Sequence, residues 1–520
     1  MRINRTQNAS RNIVFGVILK IYQLFVPFAM RTAMIYLLGV QYLGLNSLFT
    51  SVLQVLNLAE LGVGSAMVYS MYKPIASDDT ATICALMRLY KIYYRVIGLV
   101  ILLLGIILLP FIPKLIRGEV PPDINVYVLY GMNLAATVLS YWLFAYRNSI
   151  LQAHQRTDIT SKVMLLTETV KYVLQFAVLV AFHNYYYFVL VIVLTQIMTN
   201  VITAIVSAKM YPDFHPEGKL PREEIQKINQ RIRDLFTSKI GAVIVNSADT
   251  IVISAFLGLT VLAVYQNYFY LITAVIGLIS TVFGSVMAGI GNSIVVETKE
   301  KNFKDLQTFT FIIAWIAGVC TCCFLCLFQP FMTLWVGEKL LLDFSVVICL
   351  CIYFFVYEIN QLWNLYKDAA GIWHKDRFRP LITALTNLSL NLLMVNFWGI
   401  YGVILSTVLS TLFVGMPWLL HNLFTCLFQM KWLHQYLKNL CFYVMMVIFV
   451  AGLTYWVCCA VPLSGVALIA VRLAICCVLP NLFFFLCYRR LNVFCTSIQL
   501  VDKMTKGKLH FLKKIGRQAE

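Results

Sequence analysis

The chain has 520 residues, 60% of them hydrophobic and only 12% charged, with a mean hydropathy of +0.80. A water-soluble fold of this length needs far more polar surface, so the composition excludes a soluble enzyme or binding module and gives an all-α polytopic membrane protein. The net charge of +18 calls for an anionic neighbour, and anionic membrane lipids meet that need without nucleic acid.

The N-terminal "MRINRTQNASRN" is basic and polar. The apolar segment after it is too long for the core of a signal peptide and is followed by no small-x-small cleavage site, which predicts an uncleaved first span. Windows long enough to cross a bilayer recur about fourteen times. Six (13–38, 44–71, 91–113, 124–146, 163–182 and 185–208) make a first lobe, residues 1–208. A connection at 209–235 follows, in which "LPREEIQKINQRIRDLF" places Ile225, Ile228, Ile232 and Leu235 on one stripe behind Pro221 and two glutamates. This pattern predicts a basic amphipathic helix on the inner leaflet. Six more spans (236–257, 264–290, 308–330, 343–366, 380–397 and 400–421) form a second lobe, 236–421. Two additional spans, 438–460 and 463–487, lie in the segment 422–487, and 488–520 is a basic tail.

Sidedness follows from the basic residues. Of the 41 Lys and Arg, 33 fall in segments that face one side or at the span ends bordering them (Lys91, Lys239 and Lys438), five lie deeper inside spans, and only Lys114, Arg117 and Lys339 fall on the other side. The alternation predicts fourteen spans in the cytoplasmic (inner) membrane with both termini cytoplasmic. The outward connections are short and hold no convergent acid–base set, which argues against a polysaccharide polymerase or ligase, and no cofactor is expected. An internal repeat is also visible. "YLLGVQYLGLNSLF" (36–49) is similar to "AFLGLTVLAVYQNYF" (255–269), a separation of about one lobe, which predicts two related bundles.

Ionisable groups inside spans cost roughly 2.5–3.5 kcal/mol each on an insertion scale, so they should face a wet cavity or a partner. Lys20 and Arg31 lie eleven residues apart in the first span. Helical geometry leaves them roughly 20° apart around the axis and about 16 Å apart along it. With Glu60, Arg95 and Lys171 they are the candidate substrate-binding residues of a cationic first-lobe cavity. Guanidinium and ammonium groups there suit phosphate oxygens. Asp249, Glu358 and Glu168 are candidates for gating or ion coupling. The repeat aligns Arg31 with Thr250, directly beside Asp249, so an Arg31–Asp249 bridge is the expected gate. Glu168 and Lys171, three residues apart, are equally suited to neutralising each other, and Arg95 to snorkelling toward the interface. Asn364, Asn387 and Asn391 suit interhelical hydrogen bonds. Fourteen of the fifteen cysteines lie in the second half, mostly in apolar runs. "CFLC" (323–326) has CxxC spacing, but no partner pair or histidine lies nearby in sequence, which predicts packing thiols and no metal site.

The opening block "PFAMRTAMIYLLGVQYLGLNSLFTSVLQVLNLAELGVGSAMVYSMYKPIA" resembles the start of bacterial polysaccharide repeat-unit flippases of the Wzx type. These belong to the multidrug/oligosaccharidyl-lipid/polysaccharide exporter (MOP) superfamily. "SADTIVISAFLGLTVLAVYQNYFYLI" and "PLITALTNLSLNLLMVNFWGIYGVILSTVLS" are similar to later spans of that family. The resemblance implies two pseudosymmetric six-helix lobes forming a V-shaped cavity, plus two C-terminal helices. It also implies alternating-access transport of undecaprenyl-diphosphate-linked oligosaccharide, with glycosyltransferases and a polymerase of the same pathway as partners. The lipid II flippase of peptidoglycan synthesis and the cation-coupled multidrug antiporter of the same superfamily are the alternatives.

Overall fold

A computed structural model describes residues 5–118 and 120–504, and all of its regular structure there is helical. The end of the basic tail, from 505, lies outside the described residues. By internal contacts the chain divides into two units, Met1–Ala263 and Val264–Glu520.

The first unit contains α1 (Arg5–Leu37), α2 (Val40–Leu56), α3 (Val63–Ala76), α4 (Thr80–Leu108), α5 (Val126–Trp142), α6 (Arg147–Ala153), α7 (Thr157–Phe182), α8 (Tyr185–Met210) and α9 (Arg222–Leu257). α1 packs on α7, α7 and α5 on α8, and α4 on α5. The predicted linker helix and the span predicted at 236–257 are one continuous helix, α9, and it packs against α2 and α3. Its apolar stripe is therefore turned at least partly to protein. Ile228 is buried, and a Cβ on Gly62 would sit 2.6 Å from Leu235 Cβ and 3.1 Å from the Ile232 carbonyl oxygen.

The second unit takes in most of α10 (Leu259–Val296), then α11 (Lys299–Val336), α12 (Phe344–Ala369), α13 (Trp373–Asp376), α14 (Arg379–Ser410), α15 (Met416–Cys426), α16 (Leu433–Cys459), α17 (Gly465–Tyr488) and α18 (Asn492–Met504). α11 is its hub, with α12, α16, α17 and α18 against it. Aromatic rings explain why the two additional C-terminal helices settle there. Phe311 and Trp315 of α11 meet Tyr443 of α16, Phe484 and Tyr488 of α17 and Phe494 of α18, with ring centroids 5.2–6.4 Å apart. Such offset and edge-to-face pairs stabilise beyond their buried area.

Among the described residues, eleven helices are long and apolar enough to cross a membrane, or twelve if α5 and α6, bent by 58°, are one broken span. This is fewer than the fourteen predicted. Two predicted spans share the 54-residue run Trp373–Cys426, which at 1.5 Å per residue is on the order of 80 Å, far more than one bilayer. Within it Gly399 leaves helical geometry (φ 53°, ψ −129°) between the positions predicted as separate spans. A third predicted span falls on the short apolar end of α9, Val243–Leu257.

The repeat is written in the backbone. Gly39 (φ 121°, ψ 162°) joins α1 to α2, and its counterpart in the aligned repeat, Gly258 (φ 93°, ψ 171°), joins α9 to α10. Gly118 and Gly337, in the same register, have φ of 87° and 83°. Gln155 with Gly371, and His183 with Gly399, are further positive-φ pairs in a slightly shorter register that both share. Left-handed residues are rare outside glycine. Four ordered pairs, with one small shift between the second and the third, therefore fit one helix-and-turn plan used twice.

Candidate functional site

The first unit departs from that plan at the bent α5–α6 pair, whose counterpart α12 is one helix, and in its second predicted span. The second predicted span is interrupted by a 3-10 turn at Asn57–Glu60 and by Gly62 at φ 88°, whereas α10, its counterpart in the repeat, runs unbroken. Broken helices inside membranes leave backbone groups and side chains free to face a polar space. Glu60 sits in the turn. Its Oε1 accepts a hydrogen bond from Tyr94 Oη at 3.0 Å, and Tyr90 and Tyr94 hydroxyls lie 2.6 Å apart. The Tyr141 ring meets Tyr94 edge-on at 5.3 Å. The result is a carboxyl group framed by tyrosines from α4 and α5, at the break.

The other first-unit candidates are distributed around α1 and α7. Lys20 is exposed on α1 and Arg31, on the same helix, is half-buried. Glu168 and Lys171 are ion-paired within α7, as their spacing suggested, and the Lys171 ammonium lies 4.4 Å from the Tyr172 ring centroid. Tyr172 in turn faces Tyr22 of α1, 6.4 Å away. Arg95 has an exposed side chain, and its backbone carbonyl accepts from Trp142 Nε1 at 3.1 Å. Asp249 is buried in α9.

In the second unit Glu358 is buried at 1% exposure in α12, and neither carboxyl oxygen has a hydrogen-bond partner among the described residues. Such a group is costly to leave unpaired. Asn387, Asn391, Ser406 and Thr407 tie the two halves of α14 across Gly399. Asn387 donates to Thr407 Oγ1 at 2.8 Å, and Ser406 donates to Asn391 Oδ1 at 2.6 Å. Asn364 belongs to a different network, where Arg379 donates to it at 2.8 Å and forks onto Asp376 at 2.7 and 2.8 Å, all close to Lys367 and Asn422.

Three features escaped the sequence reading. The tyrosines around Glu60 look like ordinary apolar-face residues in α4 and α5. The Asp376–Arg379 pair lies in a loop-like stretch. The "CFLC" thiols do have partners: Cys326, Cys458 and Cys476 are fully buried with sulfurs within 4.8 Å of one another, and Cys323 packs against them. The partners arrive on α16 and α17, too far downstream in the chain for any spacing rule to reach. Arg472 of α17 donates to the Cys326 carbonyl at 3.2 Å. Among α11, α12, α15 and α16 lies an apolar cavity of about 1090 Å³, bounded by residues such as Phe355, Trp363, Leu440 and Tyr455.

Residues 9–288 match the model of a family described as polysaccharide biosynthesis protein, which is more than half of the chain. The chain belongs to this polysaccharide biosynthesis protein family. The fold is that of the MOP superfamily. The lipid II flippase MurJ in an inward closed conformation superposes with a TM-score of 0.68 at 14% identity, covering 92% of this chain and 99% of that one. An inward-facing multidrug resistance MATE transporter of the MOP superfamily gives 0.58 at 15% identity, over 79% and 97%. A MOP superfamily transporter from Pyrococcus furiosus, noted for the reversed polarity of its binding pocket, gives 0.51 at 15%, over 80% and 94%. Among curated proteins, none matches this chain in sequence. At these identities the structural likeness establishes the fold alone, and the family match covers the unit that carries Lys20, Arg31 and Glu60.

Proposed function

We propose that this polysaccharide biosynthesis family member is a flippase. It moves undecaprenyl-diphosphate-linked oligosaccharide repeat units across the cytoplasmic membrane by alternating access, for capsule, O-antigen or exopolysaccharide assembly. The observation that carries the reading is the family match over the first unit. That unit is also where the intramembrane cations Lys20, Arg31 and Lys171 concentrate. Lys20 and Arg31 would receive the diphosphate, Glu60 in its tyrosine frame would contact sugar hydroxyls, and Asp249, Glu168 and Glu358 would serve gating or ion coupling. The apolar cavity of the second unit suits hydrocarbon and excludes sugar, which fits a substrate that is half lipid.

The lipid II flippase is the second reading, favoured by the extent of the MurJ superposition. A drug antiporter fits less well, because a cation-binding cavity calls for acidic groups where the first span here is basic. Reconstitution in liposomes separates the three. Translocation of a polyprenyl-diphosphate oligosaccharide, with no uptake of a cationic dye, is the expected result. Dye transport without glycan-lipid transport would assign the antiporter, and transport restricted to lipid II would assign peptidoglycan synthesis.

A further inference from the structure

Where α3 ends and α4 and α9 begin, a polar cavity of about 700 Å³ opens, wholly within the first unit. Lys73 comes from the last turn of α3, and Lys227 and Arg231 come from α9. Arg231 is held in place. It donates to Ser70 Oγ at 3.1 Å, and its guanidinium lies 4.7 Å from the Tyr69 ring centroid. One of the five guanidinium N–H donors is thus spent, and the rest are available. The ammonium groups of Lys73 and Lys227 have no partner among the described residues.

Two carboxylates share the lining, Asp79 and Glu224. Asp79 is committed to capping α4, accepting from Thr82 N at 3.0 Å and Thr82 Oγ1 at 2.6 Å. Those bonds hold its carboxyl below the usual carboxylate range. Glu224 lies in the first turn of α9, where the helix dipole favours it. Three cations therefore face one uncommitted carboxylate. Beneath them Leu86, Pro74 and Ile228 form a buried apolar floor, and Tyr69 and Tyr72 stand exposed at the rim with rings 6.1 Å apart. Exposed tyrosines at the end of a spanning helix are the usual occupants of the membrane–water interface.

Cations, phenol hydroxyls and an apolar floor at that depth match one chemistry, a phosphate carried on a hydrocarbon anchor. We infer that this cavity binds the phosphate headgroup of a lipid in the leaflet where α9 begins, and so clips the first turns of α9 to α3. An anionic phospholipid and a polyprenyl diphosphate both present that group. The site is separate from the transport cations Lys20 and Arg31, and it does not depend on what is transported.

The test uses the full chain in phosphatidylcholine nanodiscs, titrated with phosphatidylglycerol, with a polyprenyl diphosphate, and with inorganic phosphate, reading bound lipid by native mass spectrometry. The double variant Lys73→Gln/Lys227→Gln alters only ammonium groups without partners, so its fold is not at stake. Each surface cation adds roughly a factor of five to the attraction of an anionic headgroup. The double variant should therefore bind at least about tenfold more weakly, while Lys299→Gln/Lys304→Gln, a matched loss of charge elsewhere, should bind as the parent does. Loss confined to phosphatidylglycerol identifies a resident phospholipid, and loss confined to the polyprenyl diphosphate identifies the carrier lipid. Equal binding by parent and double variant, an equal loss in the matched control, or binding of inorganic phosphate alone, overturns the proposal.

Discussion

Glu60 shows how a hydrogen bond from a neighbouring helix can hold a carboxyl group in place. Tyr94 donates to it from another helix at 3.0 Å, and the tyrosine pair keeps that donor oriented. Tyr94→Phe removes the donor and leaves the carboxyl less satisfied, at a cost of about 1–3 kcal/mol. The expected outcome is a lower unfolding temperature in detergent together with reduced polysaccharide export. Glu60→Gln keeps an acceptor for Tyr94 and removes only charge, so it should retain the parent's thermal stability while export falls. Equal export by Glu60→Gln and parent would exclude a role for the charge. Lys20→Ala and Arg31→Ala test the other half of the reading. Each should cut export severely with normal protein in the membrane, as measured by surface polysaccharide against immunoblot. Normal export from both would remove them from the substrate path. Arg31 and Lys20 were legible in the sequence because a charge inside an apolar run is conspicuous, whereas Tyr90, Tyr94 and Tyr141 were not. An aromatic residue in a span carries no sign of what its hydroxyl touches.

At the scale of elements, local pattern gave the helices and most of their ends, and tertiary contact decided the rest. The Leu-Gly joins at Gly39 and Gly258 were readable because positive φ demands a particular residue type. The merging of the linker with the seventh predicted span was not readable, because amphipathic and apolar stretches continue into each other, and a lone glycine such as Gly241 weakens a helix without ending it. The break before Gly62 follows the same logic from the other side. Gly62 has φ 88° and faces Leu235 and the Ile232 carbonyl of α9 too closely for a side chain. Gly62→Ala therefore combines backbone strain with overpacking, roughly 1–3 kcal/mol for each effect. It should lower the unfolding temperature of the purified protein more than Gly131→Ala, a helical glycine with open space beside its Cα. A similar melting temperature for the two variants would show that the α2–α3 break does not depend on close contact with α9.

For the whole molecule, two units built on one repeated plan of turns account for the fold, and its orientation in the membrane is a separate question. A helical repeat alone has no preference for direction. We propose that the preference comes from the basic residues, which the fourteen-span reading of the sequence divides 33 on one side against three on the other, since translocating Lys and Arg is disfavoured during insertion. Reporter fusions check this directly. Alkaline phosphatase, active only outside, should be active after Arg117 and after Lys339. Green fluorescent protein, fluorescent only inside, should fluoresce after Gly218, Lys375 and Met504. Read in chain order, one mistaken span between two of these positions reverses every reporter beyond it and locates the error. A fully inverted pattern would turn Lys73, Lys227 and Arg231 toward the outer leaflet. It would also bring Lys114 and Arg117 to the inner surface, against the charge rule on which the orientation of transport rests.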